Sequence, residues 1–328
     1  MTLHDSPPPR KHSRRGLYIP FVLLALLVVA WSAAWFWLRD QAVQRMDAGA
    51  AALRQAGYTV TWQERRIGGF PFRLDADFVN FIVAEPSGWG VGATSLKAEA
   101  YIYALNHWVA YTPYGVILNR PIGGRLGING KALRASIADI DKDTPRVAVE
   151  GSNLVFTPAG DAQPYPLQSA EHLDFAIRPG PDDQGAVLLK IDGAHAQLPG
   201  LMARIAADRP VDIDLEVILS KMSAFEGSNW RGMARNWIAA GGTAQVRNAT
   251  LTAGGAELAA HGDGLTAGPD GRVQGKLDVD LRKAGPVLSD MSGGAIPPEA
   301  NFGGATLTFR NGETTLGPMR IAPAPRLY

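Results

Sequence analysis

The stretch VDIDLEVIL, residues 211–219, alternates apolar and polar side chains without interruption. A period of two places the two sets of side chains on opposite faces of a β-strand, so it predicts a strand with one buried and one solvated face. The same alternation recurs at 72–78, 96–104 and 173–177. We therefore predict a sheet whose apolar residues share one face.

Short turn sequences separate these runs at hairpin-like spacing. The chain has no long crossover segments of the kind that parallel strands need, which favours antiparallel pairing. The segment GSNWRGMARNWIAAGG, residues 227–242, is typical of a helix that ends at a double glycine. The prediction for residues 58–328 is a mainly β domain: a large, curved antiparallel sheet with one or two packed helices, or two related β units. The predicted turns are Gly130-Lys131, Pro181-Asp182-Asp183, Pro269-Asp270-Gly271 and Asn311-Gly312.

The amino-terminal region contains an uncharged apolar run from Leu17 to Leu38. Its length of about 22 residues is enough for a helix to cross a bilayer. It is too long for the apolar region of a cleaved signal peptide, the alternative, and Trp35 to Trp37 continue it as an aromatic belt. More basic residues precede the run than follow it: Arg10, Lys11, Arg14 and Arg15 against Arg39 and Arg45.

This charge bias predicts a cytoplasmic amino terminus. The resulting organisation is a cytoplasmic tail at 1–16, a transmembrane helix at 17–38, a stalk helix at 39–57 and a periplasmic β domain. The expected location is the inner membrane, with a single span. The membrane is therefore the first expected partner.

The overall composition argues against several functional classes. The net charge is +1, from 32 basic and 31 acidic residues. Such a balance gives no broad basic surface for phosphates, so we expect no nucleic-acid partner. The absence of cysteine excludes disulfides, thiolate metal sites and cysteine nucleophiles.

The stretch ERRIGGFPFRLDADF, residues 64–78, resembles an anion-binding loop at first sight. A phosphate loop requires a strand, spaced glycines and then a helix amino terminus. Here Gly68-Gly69 precedes a strand, and Pro71 lacks a backbone N–H. We interpret the segment as the turn between the stalk and the first strand, with Arg65 and Arg66 as candidates for lipid-headgroup contact.

No catalytic or metal-binding motif is present. Asp212, Asp214 and Glu216 alternate as on a solvated strand face, which is a commoner explanation than a calcium site. We expect no enzyme activity, no cofactor and no bound metal. A hydrolase is the third hypothesis, and it requires one histidine to meet a serine and a carboxylate. The histidines considered are His107, His172, His195 and His261.

The anchor, Trp62, RIGGFPFRL (66–74), the helix ending AAGG and the closing LTFRNGETTLGPMRI (307–321) together resemble domain-of-unknown-function family 2125, a Gram-negative envelope family. That family has no catalytic residues to transfer. More distantly, the layout is similar to AsmA-like envelope proteins, which implies an elongated sheet that shields lipid acyl chains.

The leading hypothesis is a non-enzymatic protein that handles lipid or maintains the envelope, and the alternative is an interaction scaffold that binds an envelope protein through its sheet edges. An apolar groove follows from the first hypothesis. Its predicted lining residues are Phe72, Leu74, Phe78, Ile213 and Leu215.

Overall fold

A computed structural model describes residues 15–142, 144–198, 209–254, 256–283 and 304–328, with a few positions between 203 and 206 and between 285 and 297. One long helix, α1, spans Arg15–Gln55. The predicted transmembrane and stalk segments are therefore one continuous helix. The predicted cytoplasmic tail lies almost wholly outside the described residues.

In the described ranges, eighteen strands follow α1 in one sheet. A 3-10 turn at Met222–Ala224 and helix α2, Trp230–Ala239, lie between the twelfth and thirteenth strands. The strands are β1 Thr59–Thr61, β2 Glu64–Gly68, β3 Arg73–Ala84, β4 Gly90–Tyr101, β5 His107–Tyr111, β6 Val116–Arg120, β7 Gly124–Asn129, β8 Ala132–Ala138, β9 Arg146–Pro158, β10 Leu167–Pro179, β11 Gly185–Ala196, β12 Val211–Leu219, β13 Ala244–Ala253, β14 Ala256–Ala267, β15 Val273–Arg282, β16 Ala305–Arg310, β17 Glu313–Leu316 and β18 Met319–Pro323.

The strand pairs of the described residues are antiparallel, as predicted, and most of them join strands that are consecutive in the chain. β1 and β2 both pair with β3, and β3 pairs with β4. Between β4 and β9 the sheet has two positions, each filled by two short strands. β5 and β6 both pair with β4, and β8 and β7 both pair with β9. From β9 to β18 each strand pairs with its successor. In the described part of the chain, no strand pair joins the β1–β2 edge to β18.

The predicted turns lie between strands. Asn311 and Gly312 form the two-residue connection of β16 and β17, both with positive φ (52° and 78°). The interpretation of Gly68-Gly69 as the joint between a stalk and the first strand is wrong, because β1 and β2 already lie between α1 and this turn. These two strands are too short for a period of two to identify them.

Helix α2 begins at the predicted place. The Asn229 side chain caps it by accepting a hydrogen bond from Gly232 N at 2.9 Å. The helix meets the tip of the β3–β4 hairpin, where a Glu85 carboxylate oxygen accepts a hydrogen bond from Trp230 N at 3.1 Å.

Candidate functional site

One face of the sheet carries an unbroken row of apolar residues at right angles to the strands. Each member is the direct cross-strand partner of the next, so their side chains lie on the same face. The row extends from β2 to β16: Ile67, Ala76, Ala98, Ala110, Ala135, Val149, Phe175, Leu189, Leu215, Ala249, Ala260, Val279 and Ala305.

The middle of this face is open. From β4 to β15 every member of the row is half-buried, whereas Ala76 on β3 is 1% exposed. A filled core would bury all of these side chains, since protein interiors are closely packed. The residues between them point to the opposite face, which is polar and carries ion pairs such as Arg134 with Glu150. We call the open apolar face of β4 to β15 the trough.

A buried cluster borders the trough on one side, where strands β7 to β13 end or begin. Leu126, Leu154 and Val211 are at most 2% exposed there. Leu173, Leu189 and Ile213 of the trough pack against this cluster, which also contains Phe156, Ala170, Ile191, Ala194, Ala206 and Ala253. The cluster gives the sheet a solid core on this side.

Helix α1 is fixed to the sheet along β1 to β3, beside the β4 margin of the trough. The Arg65 guanidinium donates two hydrogen bonds to the Asp47 carboxylate, at 2.7 and 3.0 Å. This pairing holds the pKa of Asp47 below its usual value, because the hydrogen bond and the positive charge of Arg65 favour the ionised form. Arg54 Nε adds a hydrogen bond to Val60 O at 2.9 Å. Since Arg65 pairs with Phe78 across β2 and β3, α1 lies on the apolar face of these strands.

A ring cluster completes this junction. Trp31 Nε1 donates to Pro71 O at 3.0 Å and Trp35 Nε1 donates to Arg73 O at 2.9 Å. Phe70 packs edge-on against Trp35, with ring centroids 5.3 Å apart. The β2–β3 turn is therefore held against α1 within the segment predicted to cross the membrane.

The predicted lining residues occupy three different environments. Leu74 and Phe78 are buried (0% and 8% exposed) on the strand beside α1. Phe72 is 60% exposed in the β2–β3 turn, where it contacts Trp31. Ile213 and Leu215 are half-buried on the apolar face, and Leu215 is a member of the trough row.

A cleft of about 340 Å³ lies between α1 and the sheet. Trp108 belongs to it and pairs with Ile137 on the apolar face, so the cleft adjoins the trough. Its ring is fixed because Trp108 Nε1 donates to Leu105 O at 3.0 Å. The other lining residues are Trp37, Leu38, Gln41, Ala42, Arg45, Met46 and Ile140.

Arg45 contributes a positively charged side chain to the lining of this cleft. It is exposed, and within the described ranges it forms no ion pair. Arg65 and Arg66, the arginines singled out from the sequence, are paired with Asp47 and Glu64. Sequence reasoning missed the cleft because its lining residues are far apart in the chain. The available local indication was that Arg45 follows Gln41 by one helical turn.

A second cavity, of about 730 Å³, lies where the β3–β4 tip meets α2 and the carboxy terminus. Trp230 Nε1 donates to Leu327 O at 2.5 Å, which holds the last residues against α2. The cavity is mostly apolar, and Arg231 and Arg326 supply positive charge. Its aromatic and aliphatic walls are Trp89, Pro121, Ile122, Trp230, Leu327 and Tyr328.

A serine and a histidine lie close together on the sheet. Ser169 Oγ lies 3.3 Å from His195 Nδ1 on an exposed part of β10 and β11. Over the described residues, His195 has no carboxylate partner, and no cluster of three metal-ligating side chains occurs. Asp212 accepts a hydrogen bond from Gly193 N at 2.8 Å, as expected for a structural strand residue.

The fold and site together define a protein with an amino-terminal helix long and apolar enough to cross a membrane and one large antiparallel sheet. Residues 35–325 match the model of DUF2125, a family described as uncharacterized proteins conserved in bacteria, and the chain belongs to this family. No curated protein and no solved structure matches the chain.

Proposed function

We propose that this protein is a single-pass inner-membrane protein whose periplasmic sheet binds lipid acyl chains in the trough. The observation that carries the proposal is the apolar row, which crosses the sheet without a polar residue and stays half-buried from β4 to β15. Burying apolar surface contributes about 25 cal/mol per Å², so an alkyl chain laid along this face is stabilised relative to water. Lipid handling in the envelope, the role implied by the resemblance to AsmA-like proteins, fits this chemistry.

The cleft supplies a path from the membrane to the trough. Trp37 and Leu38 line it on the helix that is proposed to leave the bilayer, and Trp108 lines it on the sheet. Arg45, which forms no ion pair among the described residues, lines the cleft as a cation for an anionic headgroup. Arg and phosphate groups form strong charge-assisted hydrogen bonds, which favours phospholipids over neutral lipids as the substrate class.

Lipid analysis of the full chain, extracted in mild detergent, tests the proposal. We expect phospholipid to copurify with the wild type. Ala249→Trp fills the middle of the trough and should reduce the bound lipid several-fold. Thr250→Trp is the matched control, because Thr250 lies next to Ala249 on the opposite face of β13.

Two further variants in the same experiment test the proposed binding of an anionic headgroup by Arg45. Arg45→Gln should lower the share of anionic lipid, whereas Arg66→Gln should leave it unchanged because Glu64 already pairs with Arg66. Wild-type protein that is consistently free of lipid, or equal occupancy in both tryptophan variants, would rule out the trough as a lipid site.

A scaffold function is the second candidate, and the edge strand β18 favours it. All five residues of Met319–Pro323 are exposed, including Met319 and Ile321. An exposed apolar edge can pair with a strand of another protein. Crosslinking that captures one stoichiometric protein at β18, with no lipid in the trough, would support the scaffold.

A further inference from the structure

Three turns bring exposed rings and an isoleucine to the end of the sheet next to α1. Phe70 and Phe72 lie in the β2–β3 turn, Tyr103 lies in the β4–β5 turn, and Ile140 lies in the β8–β9 turn. The turns are neighbours, because Ile102 N donates to Phe72 O at 3.1 Å and Ile140 N donates to Asn106 O at 3.4 Å. Tyr103 is 78% exposed although it stacks on Tyr101, with centroids 5.1 Å apart.

The contacts of α1 indicate how far this end of the sheet reaches toward the proposed membrane. From Tyr18 to Trp37 the helix rises by about 30 Å, the thickness of a bilayer's hydrocarbon core. Arg39 is the first charged residue after this span. Trp31, which bonds to the β2–β3 turn, lies about 12 Å below Arg39 along the helix axis. Because Trp31 lies about 9 Å inside the end of the span at Trp37, the turn that contacts it extends past the headgroup level into the outer part of the span.

The exposure of the rings supports a partner at this edge. Phe70 is 52% exposed and Phe72 60% exposed, even after their packing against Trp31 and Trp35. Aromatic side chains are enriched at membrane–water interfaces, where one part of the ring is apolar and the other wet. On α1, Phe36, whose ring centroid lies 6.3 Å from that of Phe70, and Trp37 are exposed aromatics as well.

We infer that this turn edge, with Phe70, Phe72, Tyr101, Tyr103 and Ile140, inserts into the outer interface of the same membrane that α1 crosses. The sheet is thus seated on the lipid surface rather than held above it on a stalk. The inference rests on the membrane anchor of the proposed function, but it does not require lipid in the trough. It also places the mouth of the cleft at headgroup level.

Single-cysteine variants test this seating, because the native chain contains no cysteine. Phe72→Cys and Tyr103→Cys place a fluorescent label on the turn edge. Ile122→Cys is the control, since Ile122 is 84% exposed at the other end of strands that are about 40 Å long. Each labelled full-length chain is reconstituted into phosphatidylcholine and phosphatidylglycerol vesicles with a nitroxide at acyl carbon 5.

We expect the nitroxide lipid to quench the labels at 72 and 103 at least threefold more than the label at 122. Aqueous iodide should quench in the reverse order. Equal lipid quenching at all three positions would overturn the inference, and so would a turn edge covered by protein and inaccessible to both quenchers. Since the anchor is present in every sample, either result is independent of whether lipid copurifies with the trough.

Discussion

At the scale of single residues, Gly68 and Gly69 look alike in the sequence but have different roles. Gly69 has φ of +95°, and a Cβ atom there would lie 2.7 Å from Arg73 O. Gly68 has no such φ, and a Cβ atom there would meet nothing within 4 Å. Only Gly69 is required by the turn that holds Phe70 and Phe72 against α1.

Gly69→Ala should therefore destabilise the protein, whereas Gly68→Ala should not. A non-glycine residue in a strained backbone region costs about 1–3 kcal/mol, and an uncrowded surface substitution less than about 0.5 kcal/mol. Thermal unfolding of the full chain in detergent measures both changes. Equal midpoints for the two variants would contradict the distinct role of Gly69.

At the scale of elements, the ion pair between Asp47 and Arg65 connects α1 to β2. The pKa of Asp47 is lowered in the folded protein by Arg65, and the ion pair requires the ionised carboxylate. A lowered folded-state pKa stabilises the protein above the ordinary value of 3.8. This contribution is lost as the pH falls through the lowered pKa.

We predict that Asp47→Asn lowers the unfolding midpoint at pH 7 and that this effect shrinks as the pH falls below 3.8, because the contribution of the ionised carboxylate is then progressively lost. The effect is modest because Asp47 is half exposed and solvent screens the pair. Asp40→Asn is the control, since in the described part of the chain the ion pair of Asp40 is with Arg39 on the same helix, at 3.7 Å. A difference between wild type and Asp47→Asn that stays constant from pH 7 to pH 3 would exclude this linkage.

At the scale of the whole molecule, α1 is both the proposed anchor and a structural part of the sheet domain. Its apolar residues from Tyr18 to Val29 are exposed, while Trp35 and Ala50 are buried. The helix therefore has an exposed apolar part before about residue 30, which the proposed anchor would place in lipid, and a part that packs against protein after it. The predicted boundary between transmembrane helix and stalk, at residue 38, lies within the packed part.

Two truncations distinguish these parts. Removal of residues 1–29 should leave a folded sheet, because Trp31, Asp47 and Arg54 keep their partners. Removal of residues 1–55 uncovers the buried Leu74, Ala76 and Phe78 and should cause aggregation. Size-exclusion chromatography of the two variants measures the difference, and a monomeric 56–328 chain would show that α1 is dispensable for the sheet.

Much of the fold could be predicted from local patterns. The alternation at 211–219 coincides with β12, and Asn229 with Gly241-Gly242 bounds α2. The site could be predicted only in part, since Leu215 lies on the trough but Leu74 is buried beside α1. Which strands α1 covers depends on contacts such as Asp47 with Arg65, and nothing in either local sequence encodes that pairing. Arg45 was overlooked for the same reason.

The order of the strands has a consequence for how the chain acquires its structure. Apart from β1, which pairs with β3, and the patch formed by β5 to β8, each strand pairs with its neighbour along the chain, so each new pair closes only a short loop and costs little chain entropy. The sheet can grow from its amino-terminal edge while later strands are still being synthesised or exported. The contact between Glu85 and Trp230, 145 residues apart, must wait until more than two thirds of the chain is present.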